Sequence, residues 1–206
     1  MLKIWGRISS INVQKVALAA ADMGIPFERI DAGAAFGKNK TPEYLAMNPN
    51  GLVPVIEDGG HVMWESNAIL RYLCAKHSAG KLCPGDLATR ATADQWMDWQ
   101  ACALVPAMHS AFWTLIRTPV AERDPAVVEA SRVKTEAAME ILEAHLSKHE
   151  WVAGQSVTMA ELALVPTVHR WFGLPMENVP RPHAQRWYEA FMARGSAAGI
   201  LTLPVV

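Results

Sequence analysis

An α/β first part followed by an all-helical second part is the fold class this sequence predicts, and three observations carry it. Over the first eighty residues, apolar positions switch between strand-like and helix-like periods. Gly80, Pro84, Gly85 and Asp86 then break the pattern. Beyond them come long stretches with apolar residues at three- and four-residue spacing and no convincing strand up to the terminus. Two domains are therefore expected, 1–80 and 87–206.

Leu2 to Trp5 reads as a short strand, and Val13 to Met23 as a helical run stopped by Gly24 and Pro26. Phe27 to Asp31 is the next strand. A strand-helix-strand opening calls for a parallel pair with a right-handed crossover. Two short strands after Pro54, split by Asp58-Gly59-Gly60, read as a hairpin, and Ser66 to Ala75 as the closing helix. Strand, helix, strand, a variable stretch, hairpin and closing helix is the thioredoxin-like order.

In the second part, Leu87 to Arg117 reads as one long helix or two, because Pro106 removes an internal bond and should kink it. Val127 to His149 reads as an amphipathic outer helix with Val133, Ala137, Ile141 and Ala144 on its apolar side and solvated charges elsewhere. Thr158 and Glu161 have the spacing of a capping box, opening a helix that runs through Phe172. That helix is apolar nearly all round, so it belongs at the centre of the second domain.

Composition narrows the function classes. With 206 residues, 51% of them apolar, the chain can bury a full core. A net charge of −1 and no run of like charges give no footprint for nucleic acid or anionic lipid. No apolar stretch approaches the ~18 residues of a spanning helix, and the opening residues lack the apolar core of a secretory signal, so neither a membrane nor a nucleic-acid partner is expected and a cytoplasmic location is. Cys74, Cys83 and Cys102 lack zinc-ligand or redox-motif spacing, and the seven histidines form no metal-binding pair. No metal is expected.

The most informative run is Met47 to Ile56, followed by Glu65-Ser66-Asn67. Proline cannot donate to a sheet ladder, so Val53-Pro54 should sit at an edge or in a cis turn. The exposed Val53 backbone could then take an extended peptide as an added strand. The helix opening at Glu65 offers unpaired amides and a positive end to a carboxylate. These features imply a small peptide ligand with acidic ends.

At these residues the chain resembles the glutathione transferases, from residue 2 to about residue 195. The resemblance implies that Val53 and Pro54 hold the cysteinyl part of glutathione and that Glu65 and Ser66 grip its γ-glutamyl end. Leu52 stands where relatives often have lysine or glutamine, so something else must support the glycine end. Lys40 is the candidate, with a solvated surface lysine as its alternative. The resemblance also implies a homodimer, glutathione as co-substrate, and a role in detoxification.

Glutathione reacts as its thiolate, whereas a free thiol titrates near ~8.5. At the first strand-to-helix turn, Gly6 to Val16, a helix N-terminus and a hydroxyl or amide can both favour the anion. Ser10 aligns with the serine of serine-type transferases, and Asn12 with an asparagine used by certain bacterial relatives. Ser10 comes first, Asn12 second and Ser9 third; the alternative is that all three merely cap the helix. His109, Phe112, Trp113 and Arg117 are spaced to line a pocket for an apolar electrophile, or else to pack as core. The expected activity is transfer of glutathione to such an electrophile. A glutathione-dependent disulfide reductase or isomerase, and a non-catalytic binding module of the same fold, are the competing readings.

Overall fold

The computed structural model describes residues 1–201 and 205; the expected helical part to residue 206 therefore ends partly outside the described residues. Strands β1 (Leu2–Trp5), β2 (Phe27–Ile30), β3 (Val55–Asp58) and β4 (His61–Trp64) form one sheet in the order β2-β1-β3-β4. Parallel pairing sets Leu2 opposite Phe27 and Trp5 opposite Ile30, with helix α1 (Ile11–Asp22) as the crossover. β3 runs antiparallel to both β1 and β4, Ile4 facing Ile56 and Ile56 facing Met63. Gly59 and Gly60, both at positive φ, make the two-residue turn between β3 and β4. Helix α2 (Pro42–Met47) occupies the stretch before β3, and α3 (Ser66–His77) closes the unit. The strand-helix-strand opening and the hairpin are as the sequence predicts.

The second part holds α4 (Leu87–Trp99), α5 (Val105–Phe112), α6 (Pro125–Leu146), α7 (Met159–Phe172) and α8 (Pro182–Met192). Pro106 does not split the first of these. Instead α4 runs into a wider π turn at Gln100–Leu104 and on into α5, so the missing proline donor falls just after a stretch that has already left the α ladder. A second π turn, Trp113–Arg117, ends the rod. Before it, the Ser131 hydroxyl accepts from the Ala111 amide at 3.0 Å and donates to the Ala107 carbonyl at 2.5 Å, standing between two groups that an unbroken helix would join directly.

Two expectations for α6 need correction. It spans Pro125–Leu146, and Val133 and Ile141, placed on the apolar side above, are 55% and 54% exposed, with Ala137 and Ala144 exposed beside them. The buried face carries Ser131, Thr135, Ala138, Met139, Leu142 and Leu146. Small residues at its N-terminal half let α6 approach α5 closely, which a face of Val and Ile would not. Nor are all its charges solvated: Glu136 is buried and accepts from the Arg181 guanidinium at 3.0 Å.

α7 is central as expected, with every residue from Met159 to Trp171 buried. The capping box is present. The Thr158 hydroxyl accepts from the Ala160 amide at 3.2 Å, and the Glu161 carboxylate takes the Thr158 amide at 2.8 Å and the Val152 amide at 2.7 Å. These bonds answer the burial that raises the Glu161 pKa. The two parts are tied by Met159 N–H to the Leu82 carbonyl and by Arg194 to Asp22 at 2.7 and 2.9 Å. No described helix is long and apolar enough to cross a membrane.

Candidate active site

Ser10 is the N-cap of α1, with extended backbone, and its side chain makes no capping bond. A serine in this position normally satisfies one of the first helical amides. Here Ser10, buried, instead lines a cavity of about 170 Å³ together with Arg7, Asn12, His109, Phe112, Trp113 and Arg170, among others. The turn preceding it is held close by Gly6. A Cβ there would come within 2.4 Å of Val13 Cγ2 and 3.1 Å of Val53 Cβ, so glycine lets the turn rest against the loop before Pro54.

The Val53-Pro54 peptide is cis, with Pro54 buried. Neither backbone polar group of Val53 is used in a hydrogen bond among the described residues. The neighbouring Leu52 carbonyl, in contrast, accepts from the Tyr44 hydroxyl and the Asn48 amide, each at 2.8 Å. Those bonds fix the loop and leave Val53 as its open position. The Leu52 side chain is 63% exposed. Lys40 is exposed as well, its ammonium 3.5 Å from the Asn50 carbonyl. Neither lines the two cavities formed around Asn12.

A second cleft, about 410 Å³, lies on the other side of Asn12, lined by Lys15, Glu65, Ser66, Asn67, Arg71, Asp98 and Gln100 with a few apolar neighbours. Glu65 is exposed and sits at φ +71°, a conformation unusual for a residue with a Cβ. Such strain persists where surrounding structure enforces it and clusters at functional sites. The Ser66 hydroxyl donates to Asn12 Oδ1 at 3.3 Å and accepts from Lys15 Nζ at 3.4 Å. Lys15 also donates to Asn67 Oδ1 at 3.1 Å and Gln100 Oε1 at 2.8 Å. Gln100 is anchored in turn by donating to Thr167 on α7 at 2.7 Å.

Burial without a carboxylate in contact pushes Lys15 down to about 7, against a small opposing pull from Glu65. On the far side of Asn12, Arg170 is pushed down to about 9, first by burial and then by Arg117 and Arg7. Its guanidinium lies 3.9 Å from the centre of the Phe112 ring and donates to the Ser9 carbonyl at 2.9 Å. Arg117 lies 5.6 Å from the same ring, and His109 stacks on Trp113 at 5.9 Å.

The structure thus gathers Ser10, Asn12, His109, Phe112 and Trp113 at one cavity, and Asn12, Glu65 and Ser66 at another. Arg117 joins the first through Phe112. Lys15, Arg7 and Arg170 were missed by sequence reasoning. A signal existed for two of them, since Lys15 interrupts the apolar run of α1 and Arg170 lies in a helix apolar nearly all round.

Residues 1–75 match the glutathione S-transferase N-terminal domain, and residues 102–195 the glutathione S-transferase C-terminal domain. Glutathione S-transferase GstB of Escherichia coli strain K12 is 39% identical over the whole of both chains. The chain belongs to the glutathione S-transferase family. A probable glutathione S-transferase of rice, Oryza sativa subsp. japonica, is 30% identical, with 98% of this chain and 96% of the rice protein covered. Among solved structures, the theta class enzyme of Xanthomonas axonopodis pv. citri with glutathione bound superposes with a TM-score of 0.95 at 38% identity, covering 98% of each chain. Glutathione S-transferase I from maize with an atrazine glutathione conjugate gives 0.88 at 28% identity, covering 98% of this chain and 97% of the other. Family membership makes the two cavities around Asn12 the natural places to look for a peptide and its reaction partner.

Proposed function

We propose that this chain, as a glutathione transferase, holds glutathione across Val53 and the Glu65–Ser66 turn and directs its sulfur at the N-terminus of α1, where Ser10 donates a hydrogen bond to the thiolate. The observation that carries this is the uncapped Ser10 hydroxyl. Ser10 is buried, its hydroxyl is free of the helix it begins, and it lines a cavity together with Asn12 and the aromatic face of α5. A hydrogen bond to a charged partner is worth about 1.5–3 kcal/mol. At ~1.4 kcal/mol per unit, that lowers the thiol pKa by about one to two units and populates the anion at neutral pH.

In this reading residues 1–80 supply the glutathione site and residues 87–206 the wall of the electrophile pocket, through His109, Phe112, Trp113 and Arg117. Glu65 takes the γ-glutamyl amine. Ser66, with Lys15 behind it, takes the γ-glutamyl carboxylate. Pro54 sets the Val53 backbone beside the cysteinyl segment, and Lys40 and the Leu52 backbone serve the glycine end. Asn12 links the two cavities: it accepts the Ser66 hydroxyl in the free chain, a bond that passes to the γ-glutamyl carboxylate when glutathione binds, and its amide protons support the sulfur after Ser10. A homodimer working in the cytoplasm completes the proposal. Val62 and Trp64, apolar and exposed on the edge strand β4, are surface that a second copy would cover.

Retention on immobilised glutathione, turnover of an activated aryl halide, and a thiolate band in the ultraviolet difference spectrum of the glutathione complex test it together. Saturation with glutathione near neutral pH without that band would overturn it. Faster turnover of glutathione disulfide adducts than of aryl halides would favour the reductase reading, with Asn12 ahead of Ser10.

A further inference from the structure

We propose that the cavity beside Ser10 reads anions: Arg7, Arg117 and Arg170 select electrophiles that carry a carboxylate or a similar oxyanion close to the reactive carbon. The inference deepens the transferase reading and rests on it for the reaction, though not for the binding.

Two buried arginines of similar exposure make the case. Arg181, 8% exposed, is held by carboxylates, with Glu136 at 3.0 Å and Glu140 beside it. Arg170, 9% exposed, has one backbone carbonyl and the face of a ring. Taking a guanidinium out of water is expensive unless it is paired and its donors are satisfied. Arg170 nevertheless stands with two further cations near it. Arg117 shares the Phe112 ring, and the buried Nε of Arg7 has no hydrogen-bond partner, as is also true of the Nε of Arg181; the difference between the two sites lies in the carboxylates that only Arg181 has. No residue lining the cavity is a carboxylate, and none of the three arginines makes an ion pair among the described residues. The field of Arg7 and Arg117 also depresses Arg170, as expected where positive charges converge without a counter-ion.

An oxyanion supplies what this arrangement lacks, because planar guanidinium groups bind carboxylates through paired, charge-assisted hydrogen bonds. It also answers a difficulty of the chemistry. A thiolate approaching an electrophile of its own charge is repelled, and cations placed around the electrophile offset that repulsion. With an aryl halide, the sulfur–carbon bond forms, the carbon–halogen bond breaks and halide leaves with the electron pair. The acidic group stays on the arginines unchanged. Phe112 and Trp113 give a flat carbon skeleton its apolar wall.

Binding can be separated from turnover. Calorimetry on the full chain saturated with S-methylglutathione, titrated with dinitrobenzoate and with dinitrobenzamide, compares ligands that differ chiefly in charge. The acid should bind at least about tenfold more tightly, as one charge-assisted bond implies. Arg117→Gln and Arg7→Gln, neither at a fully buried residue, should each cut that preference severalfold. Equal affinity of the two ligands for the unmodified chain overturns the proposal, as does a preference that survives both substitutions. Turnover of para-chloro-dinitrobenzoate against the matching benzamide then asks what the cations serve. A loss in Arg117→Gln several times greater for the acid than for the benzamide supports an anion pocket. Equal loss for both substrates assigns the arginines to the thiolate and overturns it. A binding preference for the acid with no turnover of any aryl halide would sustain the pocket while removing the transferase reading.

Discussion

The two cavities that meet at Asn12 treat buried positive charge in opposite ways. In the Glu65–Ser66 cleft, Lys15 is almost fully buried, yet three neutral oxygens from Ser66, Asn67 and Gln100 receive it, and Glu65 and Asp98 stand nearby on the same cleft. In the Ser10 cavity, Arg170 gets one carbonyl, and its nearest charged company is cationic. The first is a nearly complete polar network, suited to gripping a zwitterionic end of one fixed ligand. The second is an incomplete one, whose missing partner, on the proposal above, arrives with the electrophile. On the reading proposed above, specificity for glutathione and choice of electrophile fall to the two cavities that share one asparagine.

The largest effect should come from breaking the complete network. Ser66→Ala removes a donor to the proposed γ-glutamyl carboxylate and a partner of both Lys15 and Asn12. At about 1.5–3 kcal/mol for a hydrogen bond to a charged group, glutathione should bind about 10- to 150-fold more weakly. Glu65→Ala acts on an exposed carboxylate that water screens, so a loss of about tenfold or less is expected. Calorimetric dissociation constants check both. Unchanged affinity in both variants would place the γ-glutamyl end elsewhere.

On the other side of Asn12, Ser10→Ala should move the midpoint of the kcat/KM pH profile up by about one to two units, lowering turnover at neutral pH by roughly tenfold. Glutathione affinity should hardly change, because the bond in question is made to the sulfur and not to the peptide ends. The profile between mildly acid and alkaline pH separates this from a packing defect, which would lower the rate at every pH alike. A flat response would hand the thiolate to Asn12 or to the amides of α1.

The backbone geometry around Val53 and Glu65 was legible in the sequence because its signals are local. Val53-Pro54, the Gly59-Gly60 turn and the Glu65–Ser66 helix start each fit in a few adjacent residues whose backbone demands are specific. Of the cationic side, only Arg117 was legible. Arg7, Arg117 and Arg170 come from three separate elements, and nothing in the sequence near position 7 announces a neighbour 163 residues away. The misjudged face of α6 has a similar cause. Val133 and Ile141 set the hydrophobic direction of that helix, yet Ser131 inserts into the hydrogen-bond ladder of α5, and the contact selects small residues over apolar ones. At Pro106 the sequence announced an interruption of the helix but not its form, a π turn that precedes the proline.

A proton count can sharpen the comparison further. The folded chain holds Lys15 near 7, whereas an ordinary lysine titrates at 10.5. The unfolded state therefore binds more protons between those values, so this group makes stability rise with pH across that window and weighs against folding most fully below about 7. A carboxylate arriving beside Lys15 favours its charged form. Binding of S-methylglutathione at a pH about one unit above 7 should thus draw in a fraction of a proton, read as a dependence of calorimetric heat on buffer ionisation enthalpy. Lys15→Met should remove that uptake. Equal uptake with and without the lysine would mean that the carboxylate does not reach it.

The smallest expected effect tests whether the cavity beside Ser10 depends on the stability of the helix behind it. Thr158 caps α7 about three turns before Arg170, at the opposite end from the site. Thr158→Ala should cost about 1 kcal/mol, a fall of about 2–4 °C in Tm for a chain of this size. Arg170 is fixed by the Ser9 carbonyl and Phe112, both outside the first turn of α7, so KM for glutathione and the acid-over-amide preference should stay at their original values. A drop in that preference, at temperatures where the chain is fully folded, would show that the cationic cavity is held open by α7 as a whole and not by the contacts local to Arg170.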